Sequence, residues 1–191
     1  MSEPQYNPEL YRINNENEFK KVKFICTEFP TILGDILVSK FADGGIIKMG
    51  SGVKINSAIW ANPVGGTRTC FVIMGDEALI EVGDNTGMSN VVIAARIGIR
   101  IGDYVNLGGG VKIFDTDFHS LNLQERIPNI NIPAKPVVIE NGAFIGADVI
   151  ILKGVTIGKE SVVGAGAVVT KSIPPGEIWG GNPAKFIKKL N

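Results

Sequence analysis

The chain is poor in the residues that build metal and redox chemistry: its 191 residues include one histidine and two cysteines. A single His excludes a zinc site made from three histidines of one chain. Cys26 and Cys70 are too few for a disulfide framework and lack metal-ligand spacing. They are expected to be small buried residues of a reduced, cytoplasmic protein. A surplus of positive charge is also missing, since Lys plus Arg is 19 and Asp plus Glu is 19, for a formal net charge of zero. A polyanion binder needs excess cations to displace counterions from phosphates, so nucleic acid is not an expected partner. Long apolar runs are absent too. The longest charge-free stretch, Ile55 to Thr67, is polar and too short for the roughly 20 apolar residues of a membrane helix. The opening MSEPQYNPEL has no basic segment followed by an apolar run, so no signal peptide is expected.

Glycine, by contrast, is abundant: 24 residues, well above the usual share of roughly 7%. Its placement is periodic. From Ile139 an aliphatic residue recurs every sixth position, at Ile139, Ile145, Ile151, Ile157, Val163 and Val169. The fifth residue of each unit is mostly small or β-branched, and glycine follows the aliphatic position at Gly146, Gly158 and Gly164. Period six fits neither a 3.6-residue helix nor a long alternating strand. It fits short strands joined by tight turns, where glycine accepts a positive φ without steric cost. Such strands stack as a parallel β-helix, and because one coil cannot hide its own apolar residues, several must stack. The same period runs upstream through Ile101, Leu107 and Ile113, with slips around Ile97 and Ile99, and IIKMGSGVKIN suggests an irregular first coil.

The period divides the chain into an N-terminal flanking segment, 1–44, a β-helix, 45–174, and a C-terminal turn and short helix, 175–191. Within the first segment a short helix from Pro8 and a strand from Lys21 to Ile25 are expected. Residues 114–137, FDTDFHSLNLQERIPNINIPAKPV, break the period with three prolines, and form a loop thrown out from a coil. Long loops in compact repeat domains are usually functional. After the Pro/Gly-rich turn, residues Pro183 to Leu190 are expected to form a short basic helix.

The hexapeptide run, the segment FDTDFHSL and the closing VVGAGAVVTKSIPPGEIWGGNPAK together resemble the hexapeptide-repeat acyltransferases. The acetyltransferases of galactosides, maltose and bacterial surface polysaccharides are nearest in pattern. The resemblance spans about residues 72 to 188. Upstream it is weaker and is more like the capsule and lipopolysaccharide enzymes. It implies an all-β fold, a left-handed parallel β-helix with an excursion loop, and a homotrimer with acetyl-CoA bound in clefts between subunits. The left hand comes from the resemblance and not from the period.

His119 is the expected catalytic base. Acyl transfer to a hydroxyl needs a group that removes the proton as oxygen attacks a thioester, and imidazole titrates near neutrality. It stands in the excursion loop and matches the family's catalytic His. Asp115, Asp117 and Glu140 are candidates to orient it, Asp117 first among them, although the two aspartates can equally be turn residues. The resemblance places the pantetheine arm along Ala147 and Ala165, and the adenosine end near Thr170 and Lys171. Lys185 and Lys188 would meet the CoA phosphates as point charges. Ser89 and Asn90 are the candidate acceptor contacts, while Arg96 stands where an acid is expected, which argues against assuming a galactoside. No metal is expected.

These readings converge on an acetyl-CoA-dependent O-acetyltransferase of a sugar hydroxyl, in cytoplasmic synthesis of a surface polysaccharide or lipopolysaccharide. N-acetylation of an amino sugar is the alternative. A non-catalytic β-helix scaffold is less consistent with the long loop and with the lack of outward threonine arrays.

Overall fold

A six-residue unit places two side chains inside the coil, its first and its fifth. In the computed structural model, which describes residues 7–66 and 68–190, these positions form a continuous stack. Ile145, Val149, Ile151, Val155, Ile157, Val163, Ala167 and Val169 are all essentially inaccessible. Ser161 is the polar member of the stack, and its hydroxyl donates to the Pro174 carbonyl at 2.7 Å. Each large aliphatic in such a stack is worth about 2–5 kcal/mol against alanine. Residues 1–6, the start of the N-terminal stretch read above, together with Thr67 and Asn191, lie outside the described residues.

The strands wind as a left-handed parallel β-helix of triangular section. The first face carries Lys23–Cys26, Ile46–Met49, Leu79–Val82, Gly98–Ile101, Val137–Ile139 and Thr156–Ile157, paired in parallel in that order. The second face carries Thr31–Gly34, Lys54–Ser57, Gly87–Ser89, Asn106–Leu107, Phe144–Ile145 and Val162–Val163, then Glu177–Gly180. The third carries Leu37–Lys40, Cys70–Ile73, Val92–Ala95, Lys112–Phe114, Ile150–Ile151 and Val168–Val169. Each successive trio is one coil, and the described residues form six complete coils.

Three features differ from the sequence reading. Parallel pairing begins at Lys23, opposite Ile46, so the first coil lies inside the segment 1–44 expected to flank the β-helix. Four-residue strands and unequal turns hide the period there. Ahead of it, α1 (Pro8–Phe19) is capped by the Asn7 side chain, which accepts from Leu10 N–H at 3.1 Å. Phe19, 2% exposed, closes the top of the stack on Phe24, with ring centroids 3.9 Å apart. A second excursion, unexpected from the sequence, leaves the second coil after Ser57 and returns at Cys70.

The last difference is at the C-terminus. The expected helix is instead the strand Lys185–Lys189, antiparallel to Glu177–Gly180. Eight residues without a buried face cannot sustain a helix in water. The open edge of the second face offers backbone partners for the same residues. Cys26 and Cys70 are free and half-buried.

Candidate active site

The slip near Ile97 marks the base of the large excursion. Here the Asp115 carboxylate, wholly buried, accepts the backbone N–H groups of Arg96, Ile97 and Gly98, each at 2.7 Å. Burial pushes its pKa above the ordinary carboxylate range despite those amides and the nearby Arg96. Asp115 is therefore bound to the coil and does not face the imidazole. Beyond it the two arms pair as a short antiparallel ladder: Lys135 N–H donates to Asp115 O at 2.8 Å, and Asp117 N–H to Pro133 O at 3.0 Å. The Asp117 carboxylate holds Lys153 of the fifth coil at 2.5 Å, with both side chains about a quarter exposed.

His119 follows at an exposed turn, its N–H on Asp117 O at 2.7 Å. Phe118 takes a positive φ of 62° and packs edge-on against Phe114, 5.1 Å between centroids. Nδ1 of His119 donates to Asn129 Oδ1 at 3.1 Å. Since the amide oxygen can only accept, the neutral imidazole that makes this bond carries its proton on Nδ1 and its lone pair on Nε2. The tip is tied by a further network: Ser120 donates to Glu125 at 2.6 Å and Asn131 to the same carboxylate at 3.2 Å. These two bonds hold the Glu125 pKa below its usual range. The four-residue α2 (Leu123–Arg126) between them is capped by Asn122. The tip also exposes Leu121 (82%), Leu123, Ile127 (74%) and Ile130.

The small residues gather elsewhere, at the corner between the second and third faces. Ser89, Gly109, Ala147, Ala165 and Gly181 succeed one another down this corner. Gly110 N–H bonds Ser89 O at 3.2 Å, Asp148 N–H bonds Gly109 O at 2.8 Å, and Gly166 N–H bonds Ala147 O at 2.8 Å. Val168 N–H bonds Gly181 O at 3.0 Å. The N–H groups of Ala147 and Ala165 have no acceptor among the described residues. Lys185 begins the last strand beside this corner, opposite Gly180, and Lys188 lies farther along it, opposite Ile178; both are exposed. Thr170 and Lys171 are exposed at the other end of the third face, past Val169.

At the N-terminal end of the corner, Ser89 Oγ accepts from Asn56 at 3.1 Å. Asn90, 2% exposed at φ 49°, donates through Nδ2 to the Asn62 and Val64 carbonyls, while its buried Oδ1 has no partner among the described residues. Glu140 is used at a coil turn, accepting Lys159 N–H at 2.7 Å. Within one chain, then, the candidate residues fall into two separate groups. His119 leaves from the corner between the third and first faces, and no hydrogen bond or ion pair among the described residues joins it to Ala147, Ala165, Ser89 or Asn90. Asn129 and Lys153 are the neighbours of His119 and Asp117 that spacing did not reveal. Lys153 sits in an ordinary repeat unit, and Asn129 meets His119 only because the loop closes.

A family model described as the hexapeptide repeat of succinyl-transferase matches residues 136–171. A solved hexapeptide-repeat acetyltransferase from Vibrio cholerae is 33% identical, with a TM-score of 0.60, covering 74% of this chain and 73% of that one. The chain belongs to the hexapeptide-repeat acetyltransferases. The same family member has been solved in complex with acetyl-coenzyme A, at 36% identity over 64% of this chain and 68% of that one, TM-score 0.56. Galactoside O-acetyltransferase of Escherichia coli is 37% identical over 53% of this chain and 49% of its own length. A Staphylococcus aureus 2,3,4,5-tetrahydropyridine-2,6-dicarboxylate N-acetyltransferase is 50% identical over 30% of this chain and 24% of its own. The aligned part thus spans half or less of these curated family members. Among the described residues no cluster of acidic, Cys and His side chains could hold a metal, and no helix is long and apolar enough to cross a membrane.

Proposed function

We propose that the chain is an acetyl-CoA-dependent O-acetyltransferase acting on a sugar hydroxyl, with His119 as general base. The observation that carries this is the exposed imidazole whose Nδ1 is anchored on Asn129, so that Nε2 is free to take a proton. The orienting role falls to Asn129, because the Asp117 carboxylate is engaged with Lys153. The small-residue corner fits the donor: it leaves a shallow edge with an outward amide at Ala147 lacking an internal acceptor. Bound there, acetyl-CoA supplies the thioester carbonyl that the hydroxyl attacks. The Ala147 N–H is a donor for the carbonyl oxygen as charge develops on it. Ala165 floors the pantetheine arm, and Lys185 and Lys188 meet phosphate at the far end. Ser89 and Asn90, read from the sequence as acceptor contacts, are not assigned to the acceptor: both are buried, Ser89 held by Asn56 and Asn90 by the Asn62 and Val64 carbonyls.

Two half-sites on different corners require a second copy to complete them, which supports a homotrimer, with Thr170 and Lys171 contributed by a neighbour. The apolar tip around Leu121 and Ile127 is then buried against that neighbour. Surface-polysaccharide synthesis in the cytoplasm is the setting this reading favours. The N-acetyltransferase relative favours a second reading, transfer to an amino sugar. One screen separates them: coenzyme A release from acetyl-CoA measured with neutral sugars, amino sugars and oligosaccharides, beside His119→Ala. Loss of about 10²–10⁴ in rate is expected for that variant, and a rate within a few-fold of wild type sinks the assignment.

A further inference from the structure

The second excursion has no part in the chemistry above, yet it lies across the donor's corner. It leaves the second coil at Ala58 and comes back down the corner as a strap, passing Asn90 in the third coil. There the Asn90 side chain holds its Asn62 and Val64 carbonyls at 2.7 and 3.3 Å. Asn62 Oδ1 in turn accepts Val64 N–H at 2.9 Å, which fixes the turn. The strap then lands on the fourth coil. A Cβ added to Gly109 would run into the Val64 carbonyl oxygen and sit 3.0 Å from Val64 Cβ. A Cβ on Gly65, at φ 80°, would collide with the Gly109 carbonyl carbon.

The exposure of the column records this roof. Gly109 and Gly110 are buried, Ala147 one coil below is half-buried, and Ala165 below that is exposed. An arm lying along Ala165 and Ala147 therefore meets Val64 one coil beyond, about 4.8 Å on. That leaves room for one or two carbon atoms past the thioester carbonyl.

We propose that this strap, with Val64 at its tip, is the stop that limits acyl-chain length, admitting acetyl and propionyl thioesters and excluding butyryl and longer ones. The inference rests on the donor lying along Ala165 and Ala147 as proposed above. The Val64 side chain, rooted on backbone packed against Gly109, cannot yield to extra methylenes without strain, so the penalty is steep. Asn90 acts here as a positioning residue, pinning the strap from below.

Calorimetric titration of the full chain with coenzyme A, acetyl-CoA, butyryl-CoA and hexanoyl-CoA tests this without an acceptor. Coenzyme A and acetyl-CoA are expected to bind within about threefold of each other, and hexanoyl-CoA about tenfold or more weakly. Val64→Ala narrows that gap, whereas Val64→Phe weakens acetyl-CoA relative to coenzyme A; thermal unfolding confirms that both fold. Hexanoyl-CoA binding wild type as well as coenzyme A, or ratios unmoved in both folded variants, overturns the stop. If coenzyme A itself does not bind, the donor reading falls first, and that result is separate from the strap's failure.

Discussion

Nδ1 of His119 stands 3.1 Å from Oδ1 of Asn129, across ten residues of the excursion. This bond selects the imidazole tautomer and aims Nε2 outward. Asn129 is itself held at φ 56°, a conformation that asparagine tolerates better than most residues. Asn129→Ala is expected to lower kcat by about 10–100-fold, as lost orientation does, while the KM for acetyl-CoA stays within twofold. Steady-state kinetics at fixed acceptor check the split. A matching rise in KM would assign Asn129 to binding instead.

The Asp117–Lys153 pair ties the excursion to the fifth coil. Because both side chains are three-quarters buried, removing one partner strands the other. Lys153→Met is expected to cost about 1–3 kcal/mol, and the double variant with Asp117→Asn less than the sum. Denaturant unfolding of the four proteins in a cycle measures the coupling. Strict additivity would show that the pair contributes nothing.

The apolar tip predicts assembly. Leu121→Asp together with Ile127→Asp places charge on a surface that is 82% and 74% exposed in one chain, so the fold of the single chain should survive. Sedimentation velocity should then report monomers for this variant and trimers for the wild type, as proposed, and activity should fall with the assembly. A trimer that withstands both substitutions would locate the interface elsewhere.

Glu18 joins α1 to the first coil, accepting Val38 N–H at 2.7 Å and holding Lys21 at 2.6 Å. Burial pushes its pKa up, but the bonds from Lys21 and Val38 and the charges of Lys21 and Arg68 outweigh it and leave the pKa lowered. A lowered carboxylate stabilises the fold above its unfolded pKa, and that contribution disappears as pH falls through the folded value. Wild type should therefore lose melting temperature in acid faster than Glu18→Gln does. Parallel pH curves for the two proteins would refute this.

The regular coils were legible because period six is a local rule. From Ile139 to Val169 every expected inward residue is buried. Legibility failed where spacing stopped being regular. The first coil, with four-residue strands and unequal turns, could not be told from a flanking segment. Lys185–Lys189 carries a basic, mixed pattern that suits a helix or a strand equally, and only the open edge beside Glu177–Gly180 decides between them.

The candidate site divides the same way. His119 stood out by residue type and motif, and Ala147 and Ala165 only through the family resemblance. Asn129, the engagement of Asp117 by Lys153 and the strap over Gly109 depend on loop closure, which brings together residues 10, 36 and 45 apart.

The sequence by itself determined the β-helix, because a repeating aliphatic position can be buried only by stacking like on like. It also left one histidine, His119, as the candidate base. Tertiary structure alone decided what that histidine leans on, where the corner of Ala147 and Ala165 is closed, and that this corner and the excursion bearing His119 lie on different edges. Those outcomes depend on where two irregular loops land on a regular prism. The period carries no information about that, because loop paths are set by contacts between residues far apart in the chain.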